Sequence, residues 1–316
     1  MSSVAGTAES LAGVAAEATP GVAAPANGTT VRARLLDTSV DAYHADTISA
    51  TPSLNATVAK SLILETPAHA KQKHPRLMDG AYVPRHSDAM DEGTALHQIL
   101  LGDDRVDILD YDAWTTKEAR AARDESRAKG RVPMKRGKWD EISVLGDALK
   151  TQVAAFPIDP PLFVDGMAEQ TIVWQEGDVA CRARLDWLHT DYRCIDDLKK
   201  ARSADPRRWQ RAMWPLGYDI QAAFYIRACR AAFGVEPVFR WVAIEPEPPY
   251  AMSVHVLSPE AMRSAHDKVD LALDIWSRCL ESGDWPAYPP TVQVVELPTW
   301  MQVGEWDDSA LDSVPF

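Results

Sequence analysis

Residues 179–189 alternate in character, with Cys181, Ala183 and Leu185 on one parity and Arg182, Arg184 and Asp186 on the other, and a period of two buries one face only in a β-strand. A β-rich stretch at 171–174 precedes it across the turn signal of Gly177, and a third strand at 192–198 follows a short turn. Consecutive strands of this kind make a sheet whose apolar face needs helices packed on it. The flanking sequence supplies them. One helix is expected from Ser53 as N-cap, carrying Leu54, Val58 and Leu62 and ending before Pro67; others run from about Asp91 to Gly102 and from about Trp139 to Phe156. Beyond the strands, Asp205 and Pro206 open a helical segment that Pro215 interrupts, and a strong helix from about Gly217 closes at Gly234. Strands at 238–245 and 252–257 precede a last helix capped by Ser258 and Pro259, with Met262, Ala265, Val269, Ala272, Trp276 and Cys279 along one face. This order predicts an α/β fold, a mixed central β-sheet flanked by helices.

Residues 1–30 hold nine alanines, four glycines and no aromatic or basic residue, a composition that buries too little apolar surface to offset its ordering entropy. A poorly ordered tail is expected over 1–52 and one domain over 53–316. The domain divides into a helical part at 53–168, a core at 169–257 and a C-terminal helix and tail at 258–316. No apolar run approaches the ~20 residues that cross a bilayer, and the N-terminus lacks the basic head and apolar block of a secretory signal, so no membrane partner and a cytoplasmic location are expected. The four cysteines, Cys181, Cys194, Cys229 and Cys279, are never closer than thirteen apart, which suits neither a metal knuckle nor a disulfide framework.

A net charge of −13 argues against a protein that coats nucleic acid with its whole surface. The charge is uneven, however. Residues 117–138 carry +6 and residues 199–211 carry +5, leaving −24 for the remainder. The first run has no strong apolar stripe and is expected as an exposed helix or a mobile arm. Either run could be a solvated helix face.

Asp186 lies on the polar face of one strand, and Asp197 and Lys199 share a face of the next. If the two strands pair as a hairpin, two carboxylates and an ammonium converge. Carboxylate oxygens suit a hard divalent cation, and phosphodiester hydrolysis uses such an ion beside a positive charge that holds water. Asp and Lys are common, so this spacing alone could also arise on an exposed hairpin. Asp196 is the alternative second carboxylate, but only Asp197 has a lysine two residues on.

The segments ARLDWL, IDDLKKA and YDIQAAFY resemble the PD-(D/E)XK nuclease superfamily and, within it, its RecB-like and RecE-like (exonuclease VIII) branch. EGTALHQILLG is similar to that branch's GxxxH helix motif, and TPSLNATVAKSLILETPAHAK to the opening helix of RecE-like phage proteins. Leu185 stands where the superfamily's proline would precede Asp186. The resemblance covers about Ser53 to Pro259 and implies a restriction-endonuclease-like core.

The resemblance also implies site roles. His97, Glu169, Asp186 and Asp197 would hold one or two Mg²⁺, with Mn²⁺ as a substitute and no iron–sulfur cluster. Lys199 would position water, and Gln221 and Tyr225, with Tyr218 on the same helix face, would flank the site, where the amide and the phenol can hydrogen-bond the DNA backbone near the scissile bond. From the residues alone, His97 could instead be a core histidine beside Leu100 and Leu101, Glu169 an edge charge, and Gln221 and Tyr225 part of a buried stripe. Arg182, Arg184, Lys200, Arg202, Arg207, Arg208, Arg211 and Tyr218 are the candidate DNA contacts. The implied activity is exonucleolytic resection of linear duplex ends for single-strand annealing, with an annealing protein and a ring-shaped oligomer as possible partners, in the host cytoplasm if phage-encoded. The alternatives are an iron–sulfur-free relative of the CRISPR-associated RecB-like nucleases acting on single-stranded DNA, or a DNA-binding protein without catalysis.

Overall fold

The structure, a computed structural model, describes residues 33–82, 86–102 and 104–296. Along the chain run β1 (Arg34–Leu36), α1 (Val40–His44), α2 (Ala56–Leu64), α3 (Pro67–Lys73), α4 (Asp88–Leu101), β2 (Val106–Leu109), α5 (Lys117–Ala128), β3 (Val132–Lys135) and α6 (Arg136–Ala155). They are followed by β4 (Gly166–Glu176), β5 (Val179–His189), β6 (Cys194–Lys200), α7 (Pro206–Met213), α8 (Tyr218–Phe233), β7 (Val238–Ile244), β8 (Met252–His255) and α9 (Pro259–Ser282). Six strands form one mixed sheet in the order β1-β4-β5-β6-β7-β8, antiparallel except for β6 beside β7. The expected α/β architecture, a mixed sheet between helices, is what the chain adopts.

Helices cover both faces because the strands are apolar on both. Ile172, Cys181, Ala183, Leu185, Phe239 and Trp241 face α2, α8 and α9, whose stripe of Ala265, Val269, Ala272 and Trp276 is fully buried. On the opposite face Leu198, Val242 and Ile244 pack with Leu96 of α4 and Leu145 and Leu149 of α6. Gly102 and Gly234 end α4 and α8 in the left-handed region, as their positions after the last apolar residue suggested. Among the described residues no helix is long and apolar enough to cross a membrane.

Two expectations are corrected. Residues 33–52, read as part of a poorly ordered tail, contribute β1 to the sheet edge and α1 beside it; residues 1–32 lie outside the described set. What ties this segment down is long-range: buried Asp46 is in ionic contact with buried Arg182 of β5 at 3.0 Å. The first helix of the expected domain is capped by Asn55 rather than Ser53, since Leu54 is taken up in a bridge to Cys181 and Ser53 bonds Asp46. For the basic stretch at 117–138, the first of the two expected outcomes, an exposed helix, is what the structure has. The stretch forms α5 and then β3, which pairs in parallel with β2 in a small second sheet.

Candidate active site

β5 and β6 pair only through Trp187 with Asp196 and Leu188 with Ile195, and then part. Asp186 fills the gap, its Oδ2 accepting the Leu198 N–H at 3.0 Å. Asp197 lies on the other parity from Asp196 and is fully buried; its Oδ1 accepts the Gln221 amide at 2.8 Å, and Lys199 is ion-paired to its Oδ2. The expected convergence of Asp186, Asp197 and Lys199 therefore occurs, through strands that splay rather than through a continuous hairpin. Burial and then the Asp197 charge push the Asp186 carboxyl up to about 6. Burial opposes the Lys199 cation, but Asp197 and Asp186 outweigh it and raise its pKa.

Glu169 reaches the same place from β4. It has a φ of 54°, a region that non-glycine residues occupy at a cost, and the ladder skips it between Ala168–Trp187 and Gln170–Leu185. Arg105 and Arg184 donate to its carboxylate at 2.8 and 2.7 Å. Burial opposes its ionisation, yet His97 and the two guanidiniums bring it down to about 2. The His97 imidazole stands between the acids, Nδ1 at 3.4 Å from Glu169 and Nε2 at 3.5 Å from Asp186. A core histidine would face Leu96 and its neighbours; this one faces carboxylates.

α8 closes the site from the side. Gln221 and Tyr225 are buried, and the Tyr225 phenol is held protonated by burial and by the Asp197 and Asp186 charges. Gln221 thus orients Asp197, and Tyr225 forms the floor rather than a surface that DNA could touch. The Tyr218 ring, half-buried, lies 5.4 Å from Lys199 Nζ. Sequence reasoning missed two participants. Arg105 precedes β2 with no motif around it. Lys60 of α2, whose Nζ donates to Gln221 Oε1 at 3.1 Å, lies inside a segment that carries the family resemblance but looks there like one lysine on an apolar helix.

Several expected DNA contacts are placed elsewhere. Arg182 is fully buried, donating to Tyr43 O at 3.0 Å and Ser53 Oγ at 2.8 Å besides its pair with Asp46, so it anchors the N-terminal segment. Arg184 serves Glu169 and Thr171, and Lys200 is paired with Glu92 of α4. By contrast Arg207, Arg208 and Arg211 are exposed, Arg202 lies beside them, and none of the four is ion-paired to an acid among the described residues. The helix that carries Arg207, Arg208 and Arg211, α7, is fixed beside the site by Trp209, whose ring stacks 5.0 Å from His255 and lies 5.5 Å from Tyr218. Much of the 117–138 run is neutralised by acids from the segments packed beside it, Arg127 by Asp91, Arg131 by Asp104 and Asp107, Arg136 by Asp110 and Lys138 by Glu92. The four cysteines are buried free thiols.

The three carboxylates are hard oxygen donors of the kind that suit Mg²⁺ or Mn²⁺, and the His97 imidazole adds one nitrogen. Asp197 Oδ2 is fully buried against the Lys199 ammonium, and Asp186 and Asp197 are like charges forced together, a feature that a cation would relieve. In the arrangement as it stands, no three His, Cys, Asp or Glu side chains among the described residues converge to hold an ion. Glu169 faces two guanidiniums and Asp197 faces Lys199 instead.

Comparison with known proteins bears on this geometry. The family described as a PDDEXK-like domain of unknown function (DUF3799) matches residues 58–298. No curated protein matches the chain. A crystal structure from Eubacterium rectale, provisionally described as an exonuclease, superposes with a TM-score of 0.57 at 12% identity, covering 83% of this chain and 95% of its own. The structure called SSO0001, at 14% identity over 63% of this chain and 96% of its own, superposes with a TM-score of 0.26 and bears no weight.

Proposed function

The chain belongs to the PDDEXK-like DUF3799 family, and so to the PD-(D/E)XK nuclease superfamily, and from that premise we propose that it is a metal-dependent deoxyribonuclease acting on the ends of linear duplex DNA. The observation that carries this reading is the parting of β5 and β6 around Asp186, Asp197 and Lys199. Asp186 and Asp197 would hold a divalent cation, with Glu169 and His97 beside them. Such an ion, when bound, polarises the phosphate and lowers the pKa of coordinated water. Lys199 orients the attacking water and Gln221 keeps Asp197 in place. Water adds to phosphorus in line, the bond to the 3′-oxygen breaks, and a 3′-hydroxyl and a 5′-phosphate result. Arg202, Arg207, Arg208 and Arg211 would guide the strand across α7.

The exonuclease-like neighbour supports action at ends over internal cutting. The RecE-like resemblance extends the reading to resection for single-strand annealing, with an annealing protein and a ring-shaped assembly as partners. Digestion of end-labelled linear duplex beside closed circular DNA tests the end requirement: linear DNA shortens progressively and circles persist. Equal loss of circles would make the enzyme an endonuclease.

Two further outcomes are expected. His97→Ala raises the metal concentration needed for half-maximal cleavage while changing the melting temperature little; an unaltered metal response with a lowered melting temperature would assign His97 to folding alone. Replacing Arg202, Arg207, Arg208 and Arg211 by glutamine lowers the salt slope of duplex binding by about 0.9 for each phosphate no longer neutralised. Binding is measured in Ca²⁺ from low to high salt. Four equivalent substitutions within 117–138, where Arg127, Arg131 and Arg136 already have acidic partners, leave the slope near wild type. A wild-type slope in the α7 variant would put the DNA path elsewhere.

A further inference from the structure

Lys60 sits in the site without the carboxylate partner that Lys199 has. Its ammonium lies 5.1 Å from the centroid of the Tyr218 ring, and that of Lys199 lies 5.4 Å from the same ring. Lys199 is neutralised by Asp197. Lys60 is in ionic contact with no carboxylate among the described residues, and its hydrogen-bond partner is the neutral amide oxygen of Gln221 at 3.1 Å. The same amide donates to Asp197 at 2.8 Å, so Lys60, Gln221 and Asp197 form one directional chain from a cation to a carboxylate. An ammonium largely withdrawn from water and left without an anion is costly, and burial together with Lys199 brings its pKa down to about 8.

The fold holds the side chain there. α2 is capped by Asn55, which fixes its start, and the Lys60 stem runs against Gly217, the residue before α8. A Cβ at 217 would meet Lys60 Cγ at 2.8 Å and Cδ at 3.2 Å, and Gly217 has a φ of +62°. The close approach of α2 to the start of α8 therefore depends on glycine at that point, and its result is to deliver a second positive charge to the side of the carboxylate cluster that Lys199 occupies.

We propose that Lys60 is a phosphate-binding residue, its ammonium receiving a non-bridging oxygen of the substrate strand beside the scissile bond. This rests on the nuclease reading and deepens it. The carboxylate cluster then faces the reacting phosphodiester while Lys60, on the Lys199 side, secures its backbone oxygen, and Gln221 couples the two by sharing its amide. The chemistry recognised is the phosphodiester anion rather than a base, so sequence preference is not expected from this contact.

The test uses the full chain and three proteins, wild type, Lys60→Met, which keeps the stem against Gly217, and Lys60→Arg, which keeps the charge. Duplex binding in Ca²⁺ and cleavage in Mg²⁺ are measured with a set of substrates carrying a single neutral methylphosphonate linkage at successive positions around the cut. Lys60→Met is expected to lose at least about tenfold in kcat/KM with an unchanged melting temperature, and Lys60→Arg to recover most of it. At one linkage the methylphosphonate weakens wild-type binding but has no further effect on Lys60→Met, the non-additivity that a direct contact requires. Wild-type binding and cleavage by Lys60→Met, or the full methylphosphonate penalty at every linkage in that variant, would overturn the proposal. If wild type binds DNA and does not cut it, the nuclease reading fails, while the binding cycle still decides the contact. If wild type does not bind DNA, both fail.

Discussion

Asp186→Asn, Asp197→Asn and Lys199→Met each lower kcat/KM for DNA cleavage by at least about 10³-fold, roughly 4 kcal/mol of transition-state stabilisation, while the protein stays folded. The two aspartates supply the oxygens for a cation, and Lys199 supplies the ammonium paired to Asp197. Losing any one removes water activation or charge stabilisation, each worth several kcal/mol. For the two Asp→Asn variants stability should not fall with activity, whereas Lys199→Met leaves the buried Asp197 carboxylate without its cation and lowers the melting temperature without unfolding the protein. Asp186 is already held up near 6 by burial and by Asp197, so replacing one carboxylate relieves repulsion. In Asp197→Asn the new side chain would still offer an oxygen to the Gln221 amide. Single-turnover cleavage beside a thermal melt checks both halves; near-normal turnover in any of the three removes that residue from the chemistry.

One residue earlier in the chain the effect reverses. Asp196→Ala is expected to destabilise the fold by about 3–5 kcal/mol, because it strands a buried guanidinium. Asp196 points to the opposite face from Asp197, is fully buried, and accepts from Arg240 Nη2 at 2.9 Å and from the Phe163 N–H at 2.8 Å, with His189 Nε2 also at 2.8 Å. Arg240 in turn donates to Pro160 O at 2.7 Å, so one ion pair ties β5, β6, β7 and the segment before β4. Urea denaturation measures the loss. The double variant Asp196→Leu with Arg240→Met should recover part of it, since an apolar pair carries no desolvation cost. Burial acts to raise the Asp196 pKa, but His189 and Arg240 prevail and lower it. Its stabilisation is therefore complete above the ordinary carboxylate range and is lost as pH falls through the depressed folded value. A wild-type urea midpoint for Asp196→Ala would show that the pair contributes nothing.

The contrast between Asp196 and Asp197 was legible because a strand alternates, and only the one with a lysine two residues on could share its face. The same alternation found β5, spacings of three and four found the buried stripe of α9, and glycine after the last apolar residue marked the ends of α4 and α8. It failed where contacts are long-range. Arg182 looked like a polar-face residue open to DNA, and the acid that buries it, Asp46, lies far back in a segment of little apolar character. Arg184 and Arg105 were invisible as a pair because they meet only on Glu169, whose left-handed backbone no sequence signal announces. The parallel pairing of β2 and β3 joins two short segments, one containing Pro133, across the whole of α5. Lys60 lay within a recognised motif, but its meaning depends on Gly217, which touches it only in three dimensions.

The central claim is that water, activated beside Asp186, Asp197 and Lys199, attacks phosphorus and displaces the 3′-oxygen. It is tested most directly by cleaving linear duplex with the full-length chain and Mg²⁺ in oxygen-18 water and weighing the products. The expected result is one solvent oxygen in the 5′-phosphate of the product, none in the 3′-hydroxyl, and no cleavage when EDTA is present. Intact DNA with Mg²⁺ or Mn²⁺, or solvent oxygen appearing in a 3′-phosphate, would contradict it.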